Sequence, residues 1–216
     1  MKITIKEIKK IINRSLKEVS MTQPPYLPLP PYLDKGGTMV GKIRLVTSGV
    51  TSERAQNIWM IAMDALKILK AQKKYWDFTE SYIKRIEISK ATNTGMDVFN
   101  RTFFINEDYA NTDPNWLASS IFHDSIHVWQ YETGKGVYPN KGVRGAWLDP
   151  RGRIELPPRM VRENWGKFRK FDFESYCNDK QVGFLKTIGA TSWANHLEGI
   201  IQQGSHYANY ADNPYE

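Results

Sequence analysis

Cysteine is nearly absent: Cys177 is the only one in 216 residues, so no intramolecular disulfide can staple the chain. Long apolar runs are missing as well. None approaches the roughly 20 residues that cross a bilayer. The N-terminal MKITIKEIKKIINRSLKEVS interrupts isoleucine with lysine where a secretory leader would be continuously apolar. The expectation is a protein that is cytoplasmic as made, with no membrane span and no signal peptide. Acidic residues are in deficit, Lys+Arg 30 against Asp+Glu 23, for a net charge of +7. Positive charge attracts phosphates, but a nucleic-acid binder concentrates it on one face or tail. Here it is spread, densest over residues 2–17 and 159–170, and no zinc-finger, RRM or helix-turn-helix pattern accompanies it. This reads as a solvated basic surface and argues against nucleic acid as the partner. What is plentiful is apolar material: 41% hydrophobic residues, with 7 Trp, 11 Tyr and 9 Phe. That excludes disorder along the whole length and suffices for one sizeable core.

Residues 4–19 place Ile5, Ile8, Ile12, Leu16 and Val19 at helical spacing behind a Thr4/Glu7 capping pair, which predicts a short amphipathic helix. QPPYLPLPPYLDKGG follows, with five of the 11 prolines in eight residues. Proline fixes φ and removes donors, so this segment is an extended connector. Residues 1–40 are therefore read as helix plus connector, and 41–216 as the compact domain. Within it, Lys42–Thr47 reads as a strand, and Ser52 opens a helix with the stripe Ala55, Ile58, Trp59, Ala62, Leu66, Leu69. Tyr82–Ser89 and Asp97–Asn106 read as strands. Asp113-Pro114 is a helix start, and that helix should run through Tyr131 to stop near Gly134. Glycine and proline make 134–164 mostly loop. Helices are expected over Trp165–Ile188 and Ser192–Gln203. Strands cluster early and helices late, giving an α+β class with a small mixed or antiparallel sheet.

The chemistry sits in WLASSIFHDSIHVWQYETG, residues 116–134. His123 and His127, two of only 4 histidines, are i and i+4 on the expected helix, so both imidazoles leave one face. Such a pair can hold one tetrahedral Zn²⁺. The competing reading is two hydrogen-bonded histidines on a core helix. Strand, capped helix and HxxxH in this order resemble the zincin metallopeptidase superfamily, whose signature is H-E-x-x-H. HDSIHVWQYETG is similar to the zincin-like domains of bacterial polymorphic toxins and effectors, over about residues 52–190.

The resemblance implies a zincin-like fold with an active-site helix and C-terminal helices, one Zn²⁺ per chain, and a peptide or protein substrate. In the gluzincin branch the third ligand is a glutamate on a later helix with a small residue three positions on. FDFESYCNDKQ, residues 171–181, matches with Glu174 and Cys177, and Asn178 is placed to orient a ligand histidine. Asp149, Glu155 and Asp179 are rival carboxylates. Asp124 stands where the signature has glutamate, the residue that takes a proton from the attacking water and passes it to the leaving amine. Its side chain is one methylene shorter, so the resemblance implies either a metallopeptidase with aspartate as base or a zincin-like module without turnover. The effector likeness adds leaderless secretion as a route. HDSIH also resembles HD-domain phosphohydrolases, but no histidine precedes His123 to supply their upstream ligand. His206, in GSHYANY, is a candidate to stabilise an oxyanion; His196 reads as structural and Cys177 as helix-packing filler.

Overall fold

A computed structural model of the chain describes residues 37–50, 52–90, 93–139, 147–148, 154–167 and 171–202. The N-terminal helix and proline connector expected over residues 1–36 lie outside them, as does His206. The sheet begins with β1 (Thr38–Val40), just ahead of Gly41. It continues through β2 (Ile43–Ser48), β3 (Arg85–Ser89), β4 (Gly95–Asp97) and β5 (Thr102–Asn106), in spatial order β1-β2-β3-β5-β4. The central strands β2, β3 and β5 are parallel, and the edges β1 and β4 run antiparallel to their neighbours. The sheet is therefore mixed, and the class is α+β.

Parallel β2 and β3 cannot be joined by a hairpin. The crossover is α1 (Ser52–Ala71) followed by α2 (Lys73–Tyr82), broken at Gln72, where φ −108° and ψ 80° leave the helical region. The sequence suggested no second helix here and opened a strand at Tyr82, which is instead the last residue of α2. Aromatic Tyr75, Trp76 and Phe78 obscure helical preference. Asp97–Asn106, expected as one strand, is a hairpin. Asp97 accepts from Phe99 N and Asn100 N, and Arg101 at φ 56° turns the chain back.

Strand register builds the core. Leu45 pairs with Ile86, Ile86 with Phe103, and Phe103 with Met96, so one row of apolar side chains crosses four strands. The first three are fully buried, each contributing about 1.5–3 kcal/mol. They pack with Ile58, Ala62, Leu66 and Leu69 of α1 and with Leu117 and Ile121 of α3 (Pro114–Thr133). The opposite face of β3 carries Arg85 and Glu87, paired at 2.8 Å.

The remaining segments close over α3. β6 (Tyr138–Pro139) pairs with β9 (Phe171–Asp172), and β7 (Trp147–Leu148) with β8 (Ile154–Glu155). α4 (Pro158–Glu163) interrupts the expected loop; Pro at its first turn starts it. α5 (Glu174–Thr187) and α6 (Thr191–Gln202) follow. α5 starts nine residues later than Trp165, the expected start, because Asp172 Oδ1 accepts from the backbone N–H groups of Glu174 (3.0 Å) and Ser175 (2.9 Å) and fixes the helix entry there.

Two glycine substitutions should move stability in opposite directions. Gly134 ends α3 at φ 71°, and a Cβ there would collide with the Leu156 carbonyl and the Pro158 nitrogen. Gly134→Ala should lose more than about 2 kcal/mol. Gly183 lies inside α5 with nothing within 4 Å of an added Cβ, so Gly183→Ala should gain about 0.5–1 kcal/mol. Urea denaturation of both variants measures this; equal effects would contradict it.

Candidate metal centre

α3 is capped as its sequence predicts. Asp113 Oδ1 accepts from Asn115 N at 2.7 Å and Trp116 N at 3.3 Å, Pro114 occupies the first turn, and Gly134 N–H returns to the Gln130 carbonyl at 2.8 Å. The helix is buried on most of its circumference, by Leu117, Ile121, Phe122, Ile126 and Val128 among others. Four of its five buried polar residues form a stripe, Ser119, His123, His127 and Gln130, spaced four, four and three apart; the fifth, Ser125, donates to the Phe122 carbonyl of its own helix. α5 packs against that stripe. At one end Gln181 Nε2 donates to Ser119 Oγ at 2.9 Å; at the other, Glu174 meets both histidines.

His123 Nε2 and His127 Nε2 are 3.1 Å apart. Glu174 Oε2 is 3.2 Å from the first and Oε1 is 3.3 Å from the second. The histidines are 9% exposed and Glu174 5%. Donor atoms around a tetrahedral ion with bonds of about 2.05 Å stand about 3.3 Å from one another. The two imidazole nitrogens stand near that spacing from each other, and each stands near it from a different oxygen of the carboxylate. Glu174, the first residue of α5, also places its charge at the positive end of the helix dipole.

His123, His127 and Cys177 likewise lie within 4.8 Å of one another. Cys177 is a poorer third donor. Its Sγ is 3.6 Å from His127 Nδ1, the nitrogen turned away from His123, and its thiol donates to the Phe173 carbonyl at 3.3 Å. Burial pushes the thiol up to about 11, so a metal would first have to displace its proton. The expected role as helix-packing filler agrees with its complete burial in the core.

Burial opposes charge on His127 and Glu174, and their mutual contact outweighs it. The carboxylate of Glu174 raises His127 well above its ordinary value, and His127 with His123 holds Glu174 well below the usual carboxylate range. Asp124 is shifted the other way: burial raises it, against the pull of the two histidines. Its Oδ1 is 4.0 Å from His127 Nε2. A cavity of about 290 Å³ takes in this cluster, lined by Thr94, Gly95, Met96, Val98, Trp165 and Phe173 together with His123, Asp124, His127 and Glu174.

The four residues on which the sequence reading centred thus share one cavity. Asn178 is buried on α5, and its Oδ1 and His123 Nδ1 both lack a hydrogen-bond partner among the described residues. Of the rival carboxylates, Asp179 lines a different cavity, and Asp149 and the Glu155 side chain lie outside the described residues. His196 packs edge-on against Trp116 and Trp193 and does not line this cavity. The sequence reading assigned no role to Gln130, Trp165 or the β4 residues. Gln130 carried a signal, since it lies at i+3 from His127 on the same face; Trp165 and β4 carried none. No protein-family model, curated protein or solved structure matches the chain.

The pair gives the metal-free protein a defined pH dependence. Because Glu174 is depressed, its contribution is present above about pH 4.3 and lost as pH falls through the lower folded value. Because His127 is raised, its contribution is present below about pH 6.5 and lost as pH rises through the higher folded value. Stabilisation by the pair is therefore greatest between about pH 4.3 and 6.5. Melting curves in chelator should show Glu174→Gln furthest below wild type in that window, with the gap narrowing on both sides; a gap independent of pH would contradict the coupling.

Proposed function

We propose that the chain is a zinc-dependent hydrolase of zincin type, a metallopeptidase in which His123, His127 and Glu174 hold one Zn²⁺ and Asp124 is the general base. The observation that carries it is a buried cluster from two helices in which the histidine Nε2 atoms are 3.1 Å apart and each faces its own oxygen of Glu174, at 3.2 and 3.3 Å. Zinc, when bound, lowers the pKa of water and polarises a carbonyl oxygen. The chain's own part is proton handling. Asp124 stands in the cavity beside the donors, with its pKa raised by burial. It would accept a proton from the attacking water and return it to the leaving amine.

The cavity wall favours a peptide as substrate. β4 is an edge strand of the sheet, and its Gly95 and Met96 border the cavity. An edge strand offers backbone donors and acceptors to an extended chain, the mode by which peptides add to sheets. No helix among the described residues is long and apolar enough to cross a membrane. A second reading, a zincin-like module that binds without turnover, draws on the short Asp124 side chain, whose oxygen stops 4.0 Å from the nearer ligand nitrogen.

Elemental analysis of protein purified without chelator should find about one zinc per chain; none would defeat the proposal. Glu174→Ala should weaken zinc binding by more than about 100-fold. Asp124→Asn should retain zinc and lower peptide hydrolysis by about 10²–10⁴-fold. Asp124→Glu separates the two readings. Turnover gained with glutamate means the short side chain limits an enzyme. A wild type that binds zinc, cleaves no peptide in a broad screen and gains nothing from glutamate is the binding module.

A further inference from the structure

We propose that Gln130 is the positioning residue of this centre: its one carboxamide sets the proton on His127 and ties that ring to the backbone carrying Glu174. The inference rests on the metal-site reading above. Gln130 is fully buried, so each of its polar atoms needs a partner inside the protein. Its Nε2 is 2.9 Å from the Gly136 carbonyl and 2.9 Å from the Phe173 carbonyl. Both are acceptors only, so turning the amide over would set Oε1 against two carbonyl lone pairs. Oε1 is thereby held toward His127 Nδ1, at 2.9 Å.

An amide oxygen only accepts, so Nδ1 carries the proton. In the neutral ring that leaves the lone pair on Nε2, the atom 3.1 Å from His123 Nε2 and 3.3 Å from Glu174. Two backbone carbonyls fix the amide, the amide fixes the tautomer, and the tautomer presents the ligating lone pair. The same side chain spans the two helices. Phe173 immediately precedes Glu174, so the donor that grips its carbonyl gauges the distance between the second histidine and the carboxylate. His123 has no equivalent, since its Nδ1 is buried without a partner among the described residues. Pre-organisation of the donor set falls to Gln130.

The test uses the full chain and two variants. Gln130→Met keeps the volume and removes both functions. Gln130→Glu keeps an acceptor for Nδ1 and sets a carboxylate against the two carbonyls. Long-range ¹H–¹⁵N spectra of the metal-free protein read the His127 proton without any metal, and competition with a chromophoric chelator reads zinc affinity. In wild type, at a pH above the raised folded value of His127, the ring should lose its Nε2 proton and keep the one on Nδ1. In Gln130→Met both tautomers should appear and zinc affinity should fall by about 10–100-fold. In Gln130→Glu the Nδ1 proton should remain while zinc affinity still falls, which separates the two functions. A merely structural glutamine would lower the melting temperature and leave tautomer and affinity unchanged; that result overturns the proposal. So does a wild-type neutral ring that keeps its proton on Nε2. If Gln130→Met does not fold, the wild-type spectrum and Gln130→Glu decide. A wild type with the Nδ1 proton that takes no zinc defeats the zinc reading and leaves the tautomer assignment standing.

Discussion

A helix buried on most of its surface that still carries two imidazoles, a hydroxyl and a carboxamide on one stripe must find partners for all of them inside the protein. Each left unmet would cost about 1–3 kcal/mol, a large share of the stability of a domain this size. The placement of α5 follows from that demand. Gln181 reaches Ser119 at one end of the stripe, Glu174 reaches both histidines at the other, and Cys177 is small enough to let the helices close between them. Asp172 starts α5 where it does, so that Glu174 falls at the first turn instead of in mid-helix.

Much of this was legible before the structure. α3 could be read almost to the residue, because both of its ends are written in local chemistry: an aspartate-proline start and a glycine stop. α6 and β2 were likewise found within about one or two residues of their bounds. The failures share a cause. The Gln72 break, the Asp97 turn and the Asp172 cap are set by single polar side chains and backbone angles that hydrophobic periodicity does not register. The Trp165 start went wrong for this reason: aromatic residues on both sides of Asp172 look like one apolar stripe, and only the hydrogen bonds show where the helix begins.

The site divides along the same line. His123 and His127 are fixed by helical spacing, which sequence carries directly, whereas Asp124 was named from its place in a resembled signature. Glu174 was named from a resemblance, and it does meet the histidines. The small Cys177 three positions on marked it over Asp179, which lies five residues further along the same helix and is exposed. The cavity wall was out of reach altogether. Thr94, Gly95 and Met96 come to the site through β4 pairing with β5, a long-range register that no local pattern reveals. Gln130 was visible as a letter but not as a function, because its partners are two backbone carbonyls, 6 and 43 residues away.

The apolar row Leu45–Ile86–Phe103–Met96 has an outcome for how such a chain tolerates insertions and deletions. Its last member, Met96, is half-buried against the core and also lines the cavity. Side chains on a strand alternate between faces, so one residue gained or lost in the Val98–Arg101 turn would move Met96 off the buried face and bring a neighbour round in its place. The rim of the cavity would be rebuilt while every donor atom on α3 and α5 stayed where it is. Length changes in that short turn are therefore the economical way for relatives of this chain to alter what enters the cavity. The spacing between Pro114 and Gly134 has no such latitude, since a single added residue would rotate half of the polar stripe by about 100° away from α5.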